Sequence, residues 1–222
     1  MKDVWRRLRY YGFGFGIGLI FVFFFFQNRG CSWLPENRVK NTMMGKILVI
    51  SPQTQKKLHL SDEQVVSFLN DGAISFRSSK KQGDPKVYSF KKEMNGKTVE
   101  LWFTISDNSY ISEVLVPHGN IQKSTNSRTG LGRMIHFPNV KNFVYLVDNQ
   151  QLNKQLEKYG IEDELTIQYL IKKGGLIDFS KSKLETKPYG EHYLLIPRSS
   201  GDTLKSRTIW FQDHIQFQFF ED

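Results

Sequence analysis

The chain has 222 residues, 39% of them hydrophobic, and a formal net charge of +9, so a packed core of one large domain or two small ones is within reach. Seven Lys or Arg and two acids stand in the first forty residues, and this concentration argues against reading the sequence pI of 9.5 as a nucleic-acid signature. The single cysteine, Cys31, excludes an intramolecular disulfide and a cysteine metal cluster.

Lys2, Arg6, Arg7 and Arg9 precede an uncharged run from Tyr10 to Phe26 that ends in four consecutive phenylalanines. As a helix this run measures roughly 25 Å, close to the hydrocarbon thickness of a bilayer. Trp5, Tyr10 and Tyr11 stand on one side of it and Trp33 on the other, where amphipathic rings would favour the headgroup level. The pattern predicts a cytoplasmic tail and a single-pass transmembrane helix over residues 1–27. Gln27-Asn28-Arg29-Gly30 offers only Gly30 as a small residue for signal cleavage, and the residues before Cys31 do not form a lipobox. An uncleaved anchor is therefore expected. Gly12 with Gly16, and Gly14 with Gly18, form two small-xxx-small pairs that suit helix packing inside a membrane.

Residues 28–44 read as a connector, polar except around Trp33, Leu34 and Pro35. A first α+β unit is expected over 45–116. It opens with an apolar strand at 46–50, then a helix capped by Ser51 with Pro52 at its first position. Ser61-Asp62-Glu63-Gln64 is a capping box for a second helix, which Asp71-Gly72 ends. Strands follow at 74–78 and 87–91. Asn95-Gly96 is a strong hairpin signal, leading into the alternating stretch 99–106 and a last strand at 110–116.

Residues 117–141 read as a polar loop without periodicity, containing His118, Lys123, Arg128, Gly130, Gly132, Arg133 and His136. A second α+β unit over 142–222 repeats the first. Its strand at 143–147 leads to a helix capped by Asp148, then a helix over 164–172 and four strands near 176–179, 191–197, 204–211 and 215–220. Lys57, Asp62, Glu63 and Leu69 align with Lys158, Asp163, Glu164 and Leu170 at a constant spacing. The expected fold class is α+β: an N-terminal transmembrane helix followed by two tandem units, each with two short helices packed on a small antiparallel sheet.

The helix over 62–70, then Asp71-Gly72-Ala73-Ile74, Pro85-Lys86-Val87-Tyr88, the strands around Asn95-Gly96 and Tyr110-Ile111-Ser112-Glu113-Val114 resemble an uncharacterised bacterial domain family. That family is distantly similar to the RelE/barnase-like ribonuclease fold. The resemblance covers roughly a quarter of the chain, or half if both units count, and implies helices packed on a curved antiparallel sheet. The family commonly carries a His followed by an Arg on its first helix. Here Pro52-Gln53-Thr54-Gln55-Lys56-Lys57 and Asn149-Gln150-Gln151-Leu152-Asn153-Lys154 have neither, so both units lack that acid/base pair.

None of His59, His118, His136, His192 and His214 has metal-ligand spacing with another, and each reads as solvated or structurally satisfied. His118 and His136 flank the central loop and would meet only if it is compact. Gly130-Leu131-Gly132-Arg133 would cradle an anion, though a flexible linker explains it more simply. No catalytic, cofactor or metal site is expected, and no small-molecule substrate or nucleic-acid partner is assigned. The leading expectation is a non-enzymatic binding or accessory subunit of a bacterial envelope complex. It would be held in the inner membrane, contact the lipid bilayer and a protein partner, and carry its C-terminal domain in the periplasm. The alternative is a ribonuclease-like or phosphodiesterase enzyme with an atypical site built from Lys56, Lys57, Arg77 and Tyr88.

Overall fold

The computed structural model describes residues 2–27, 34–127, 129–186 and 188–221. Cys31, Trp33 and Arg128 lie outside them, so the expectations resting on these residues do too. The chain divides into two compact units, Met1–Val39 and Lys40–Asp222.

The first unit holds helix α1, Lys2–Gln27. Among the described residues no helix is long and apolar enough to cross a membrane. This overturns the single-pass transmembrane helix and, with it, the inner-membrane location and periplasmic domain. The reason is in the composition of the run. From Tyr10 to Phe26 it is shorter than the roughly 20 apolar residues a span needs. Gly12, Gly14, Gly16 and Gly18 add little apolar area, and Tyr10 and Tyr11 each carry a hydroxyl. At all four glycines an added Cβ would meet nothing within 4 Å. Trp5, Tyr10 and Tyr11 are exposed. Helix α2, Pro35–Met44, occupies part of the expected connector.

The second unit carries eleven strands in one sheet. In chain order its elements are β1 (Ile47–Ile50), α3 (Pro52–Leu58), α4 (Asp62–Asp71), β2 (Ala73–Lys80), β3 (Lys86–Met94), β4 (Lys97–Ile105) and β5 (Ile111–Leu115). Then come a 3₁₀ turn at Ile121–Lys123, β6 (Leu131–His136), β7 (Val144–Leu146), α5 (Gln150–Tyr159), α6 (Glu164–Gly174), β8 (Leu176–Lys183), β9 (Glu191–Pro197), β10 (Thr203–Trp210) and β11 (Ile215–Glu221).

Local chemistry accounts for most boundaries. The Ser51 side chain accepts from the Thr54 N–H at 3.1 Å, and Pro52 sits where a helix needs no N–H. Ser61 and Gln64 close the capping box in both directions. The cap of α5 is Asn149, which accepts from Leu152 N–H, whereas the expected cap Asp148 accepts from Asn153 Nδ2. Asn95 and Gly96 both take positive φ, 51° and 72°, the backbone that matches the twist of a two-residue hairpin between β3 and β4.

The strand order is β2-β3-β4-β5-β1-β6-β8-β9-β10-β11-β7. Two separate small antiparallel sheets are thus replaced by one mixed sheet. Two facts account for the difference. First, β1 pairs with β5, and β7 with β11, in parallel, because the intervening helices and strands bring the chain back in the same direction. Second, residues 131–136 of the expected loop form β6, which pairs antiparallel with β1 on one side and β8 on the other. This strand fuses the halves.

The halves on either side of β6 have the same internal order, β2-β3-β4-β5-β1 and β8-β9-β10-β11-β7. They also share a detail of backbone chemistry. Ser79 Oγ donates to the Ser75 carbonyl at 2.7 Å and accepts from Ser89 N–H at 3.0 Å. Ser182 Oγ donates to the Asp178 carbonyl at 2.7 Å and accepts from Tyr193 N–H at 3.0 Å. Each hydroxyl replaces a ladder bond at the register shift between the first two strands of its half.

One apolar cluster runs through both halves. Ile47, Val49, Tyr110 and Ile111 belong to it, as do Phe143, Trp210, Ile215 and Phe217. Tyr110 is the junction, with its ring 6.3 Å from Phe143 and 6.5 Å from Trp210. Gly132 on β6 is closely hemmed in. A Cβ there would stand 2.6 Å from Val49 Cγ1 and 2.5 Å from Phe179 Cε2. Gly132→Ala is therefore expected to lower the unfolding free energy by about 1–3 kcal/mol, read from the denaturant midpoint, because both neighbours lie in the shared core.

Candidate functional site

The seam between the halves opens into a cleft of about 250 Å³. Asp84, Ser106 and Glu113 line it from the first half, and Glu185, Gly190 and His192 from the second. Such a volume lies just under the roughly 300–1,000 Å³ of pockets that enclose drug-sized ligands.

Glu113 comes from the middle of β5, where Ile111, Ser112, Glu113, Val114 and Leu115 are all buried. Alternation puts Glu113 on the same face as Ile111, which also lines the cleft. Its Oε2 accepts from Ser127 N–H at 2.7 Å, and its own N–H donates to Thr104 Oγ1 at 2.9 Å. Burial pushes its carboxyl up to about 7, against an ordinary 4.5, because the charged form has lost water; the Ser127 bonds oppose the shift only in part.

His192, on β9, is 2% exposed, and neither ring nitrogen has a hydrogen-bond partner. The ring packs edge-on to Trp210 at 5.0 Å, while its backbone carbonyl accepts from Thr208 Oγ1. Nε2 would lie 3.5 Å from a Cβ added at Gly190, so that glycine stands directly against the imidazole where both line the cleft. Burial lowers its value from 6.5 to about 3, so the ring is neutral at ordinary pH. One nitrogen is then a donor and the other an acceptor.

Lys46, at the head of β1, stands behind this wall. It donates to the carbonyls of Ser106, at 3.3 Å, and Ser109, tying down the turn between β4 and β5. Desolvation lowers its value, and the charges of Asp107 and Asp84 partly restore it. Asp107 is also held by Lys86 at 2.9 Å.

Residues singled out from sequence go elsewhere. Lys56 and Lys57 lie on α3, which contacts β6, whereas Arg77 lies on edge strand β2. Five strand spacings separate β2 from β6, roughly 24 Å along the sheet, so these cations do not form one cluster. Tyr88 is buried against Phe76. His118 packs on Trp102 and bonds the Val116 carbonyl, whereas His136 bonds the Met44 carbonyl; the two share no partner. Arg133 forms a two-pronged pair with Asp62, at 2.5 and 2.6 Å, and Gly130 N–H donates to Ser180 Oγ. Neither group is left to cradle an anion.

Sequence reasoning passed over Glu113 and His192. The signal for Glu113 was a carboxylate inside an otherwise apolar strand. His192 sits in a strand like any core histidine, and nothing local marks its lack of partners. Comparison with known proteins adds no assignment: no family model, curated protein or solved structure matches the chain.

Proposed function

We propose that this chain is a non-enzymatic binding protein, built from a duplicated α+β unit, whose recognition site is the cleft between its halves. The observation that carries the reading is His192, a buried imidazole with both nitrogens unpartnered that lines an open cleft. A buried polar group left unsatisfied costs about 1–3 kcal/mol, which a ligand bonded there would offset. The common strand order and the matching Ser79 and Ser182 brackets support duplication. The resemblance to the bacterial domain family remains part of this proposal. The neutral state of His192 weighs against acid catalysis by an imidazolium at ordinary pH.

The test is a ligand-observed NMR screen of the full chain against small cationic, neutral and anionic compounds. At least one charge class is expected to bind, about tenfold more weakly to His192→Phe, which fills the site with an apolar ring of similar size. Failure of every class, or equal binding to the variant, overturns the reading. A second reading, an enzyme of phosphodiesterase type, draws on Glu113, a buried carboxyl poised near neutrality as a general acid or base needs to be. Metal-independent cleavage of RNA that vanishes in Glu113→Gln would favour it.

A further inference from the structure

The charge of the cleft wall narrows the ligand class. Resting on the proposed binding role of this cleft, we infer that it takes an organic cation, an ammonium or guanidinium group. The cation would be held by the Glu113 carboxylate with a bare nitrogen of His192 as neutral acceptor. Asp84, Glu113 and Glu185 contribute carboxylates to the lining, and among the described lining residues there is no Lys or Arg. Two described cations beside the lining are engaged elsewhere: Lys46 on the Ser106 and Ser109 carbonyls, and Lys86 on Asp107. An anion entering the cleft would meet Asp84 and Glu113. A cation would meet an acceptor from each half, Glu113 and His192.

The lining is not a mere acidic cluster. His192 lines the cleft as a buried side chain whose two ring nitrogens have no partner, with Nε2 next to Gly190. A guanidinium or ammonium group offers several N–H donors, so one can reach Glu113 while another reaches the ring. A charged donor on a buried carboxylate also makes the stronger kind of hydrogen bond.

Binding is coupled to a proton. Asp84, just before β3, lines the cleft with Glu113; Lys46 at the head of β1 holds the lining residues Ser106 and Ser109, and Lys86 at the start of β3 pairs with Asp107 beyond β4. Across the cleft stand Glu185 and His192. Glu113 has its titration near neutrality, at about 7. A bound cation favours its ionised form, so at pH 7 the complex is expected to release up to about half a proton per ligand.

Calorimetry of the full chain tests this, with butylammonium chloride and methylguanidinium chloride as probes. Sodium butyrate and butanamide serve as anionic and neutral controls. Titrations at pH 7 in two buffers of different ionisation enthalpy measure the proton release. The expected result is saturable binding of a cationic probe with proton release. Affinity should fall at least about tenfold in Glu113→Gln, and similarly in His192→Phe, each losing one bond to the ligand. Both variants remove a buried ionisable group, and far-UV circular dichroism checks that they fold. Binding of the neutral or anionic control in place of the cations overturns this inference and leaves the cleft's binding role standing. So does cation binding that Glu113→Gln leaves unchanged. If no probe of any charge binds, both fall.

Discussion

Glu113→Gln is expected to raise the unfolding free energy by about 3 kcal/mol at pH 8, with the gain fading to nothing near pH 4. The folded-state value of this carboxyl is raised to about 7, above its ordinary 4.5. The folded protein therefore holds a proton that the unfolded chain has lost. The associated stability is fully present below pH 4.5 and is lost as pH rises through 7. A tenfold difference in proton affinity is worth about 1.36 kcal/mol, and the carboxyl is buried, so solvent screening takes little from it. Glutamine keeps an oxygen to accept from Ser127 N–H and never ionises. His192 works in the opposite sense. Its folded value is depressed to about 3, so its contribution is present above 6.5 and lost as pH falls toward 3. Between 4.5 and 6.5 the two proton counts cancel in the parent, which should be flat there. Glu113→Gln has only the histidine effect and should lose stability across that same interval until it meets the parent. Urea unfolding at half-unit steps from pH 4 to pH 8 checks both curves. A pH-independent difference would mean that Glu113 is not held protonated. A carboxyl kept at such a cost to stability is what a binding site, rather than a core, has reason to retain.

Trp210→Ala is expected to lower stability by about 3–5 kcal/mol and to leave a single unfolding transition. Trp210 is fully buried at the end of β10, and its Nε1–H donates to Thr208 Oγ1 at 2.7 Å. Its ring faces Tyr110 of the first half and His192 of the second. Removing it empties the junction of the shared core and loosens the seat of the cleft imidazole. Because β6 joins the halves through continuous pairing, neither half should melt before the other. Hydrogen exchange resolved by strand is the check. Faster exchange confined to β8–β11, with β1–β5 keeping parent protection, would refute the shared core. Ligand affinity should fall in the same variant, since Thr208 also bonds the His192 carbonyl.

Short-range features could be read from the residues alone. Ser61 and Gln64, three apart, carry their own capping geometry, and Asn95-Gly96 carries its own turn. The alternation through Val99, Leu101, Phe103 and Ile105 marks β4 whatever lies beside it. Each depends on neighbours within a few positions. The strand β6 does not. Leu-Gly-Arg-Met-Ile-His is interrupted by glycine and arginine, and it becomes a strand because β1 and β8 supply bonds on both sides. Arg133 looked like a loop cation until Asp62, far away in sequence, met it. The apolar N-terminal run misled in another way. Its lack of charge suggested a membrane span, yet length and glycine content leave it short of one.

The candidate site was the least legible part. Glu113 and His192 belong to different halves and share nothing in sequence; the pairing of the two halves into one sheet puts both in one cleft. Local order along this chain, its caps, its hairpin and the matched sequence of elements in the two halves, follows from residues close together, where backbone chemistry acts alone. The single sheet, the parallel closures and the cleft were decided by pairing and burial between distant segments. Those depend on which surfaces meet, and the meeting alone buries one carboxyl and leaves one imidazole unpartnered.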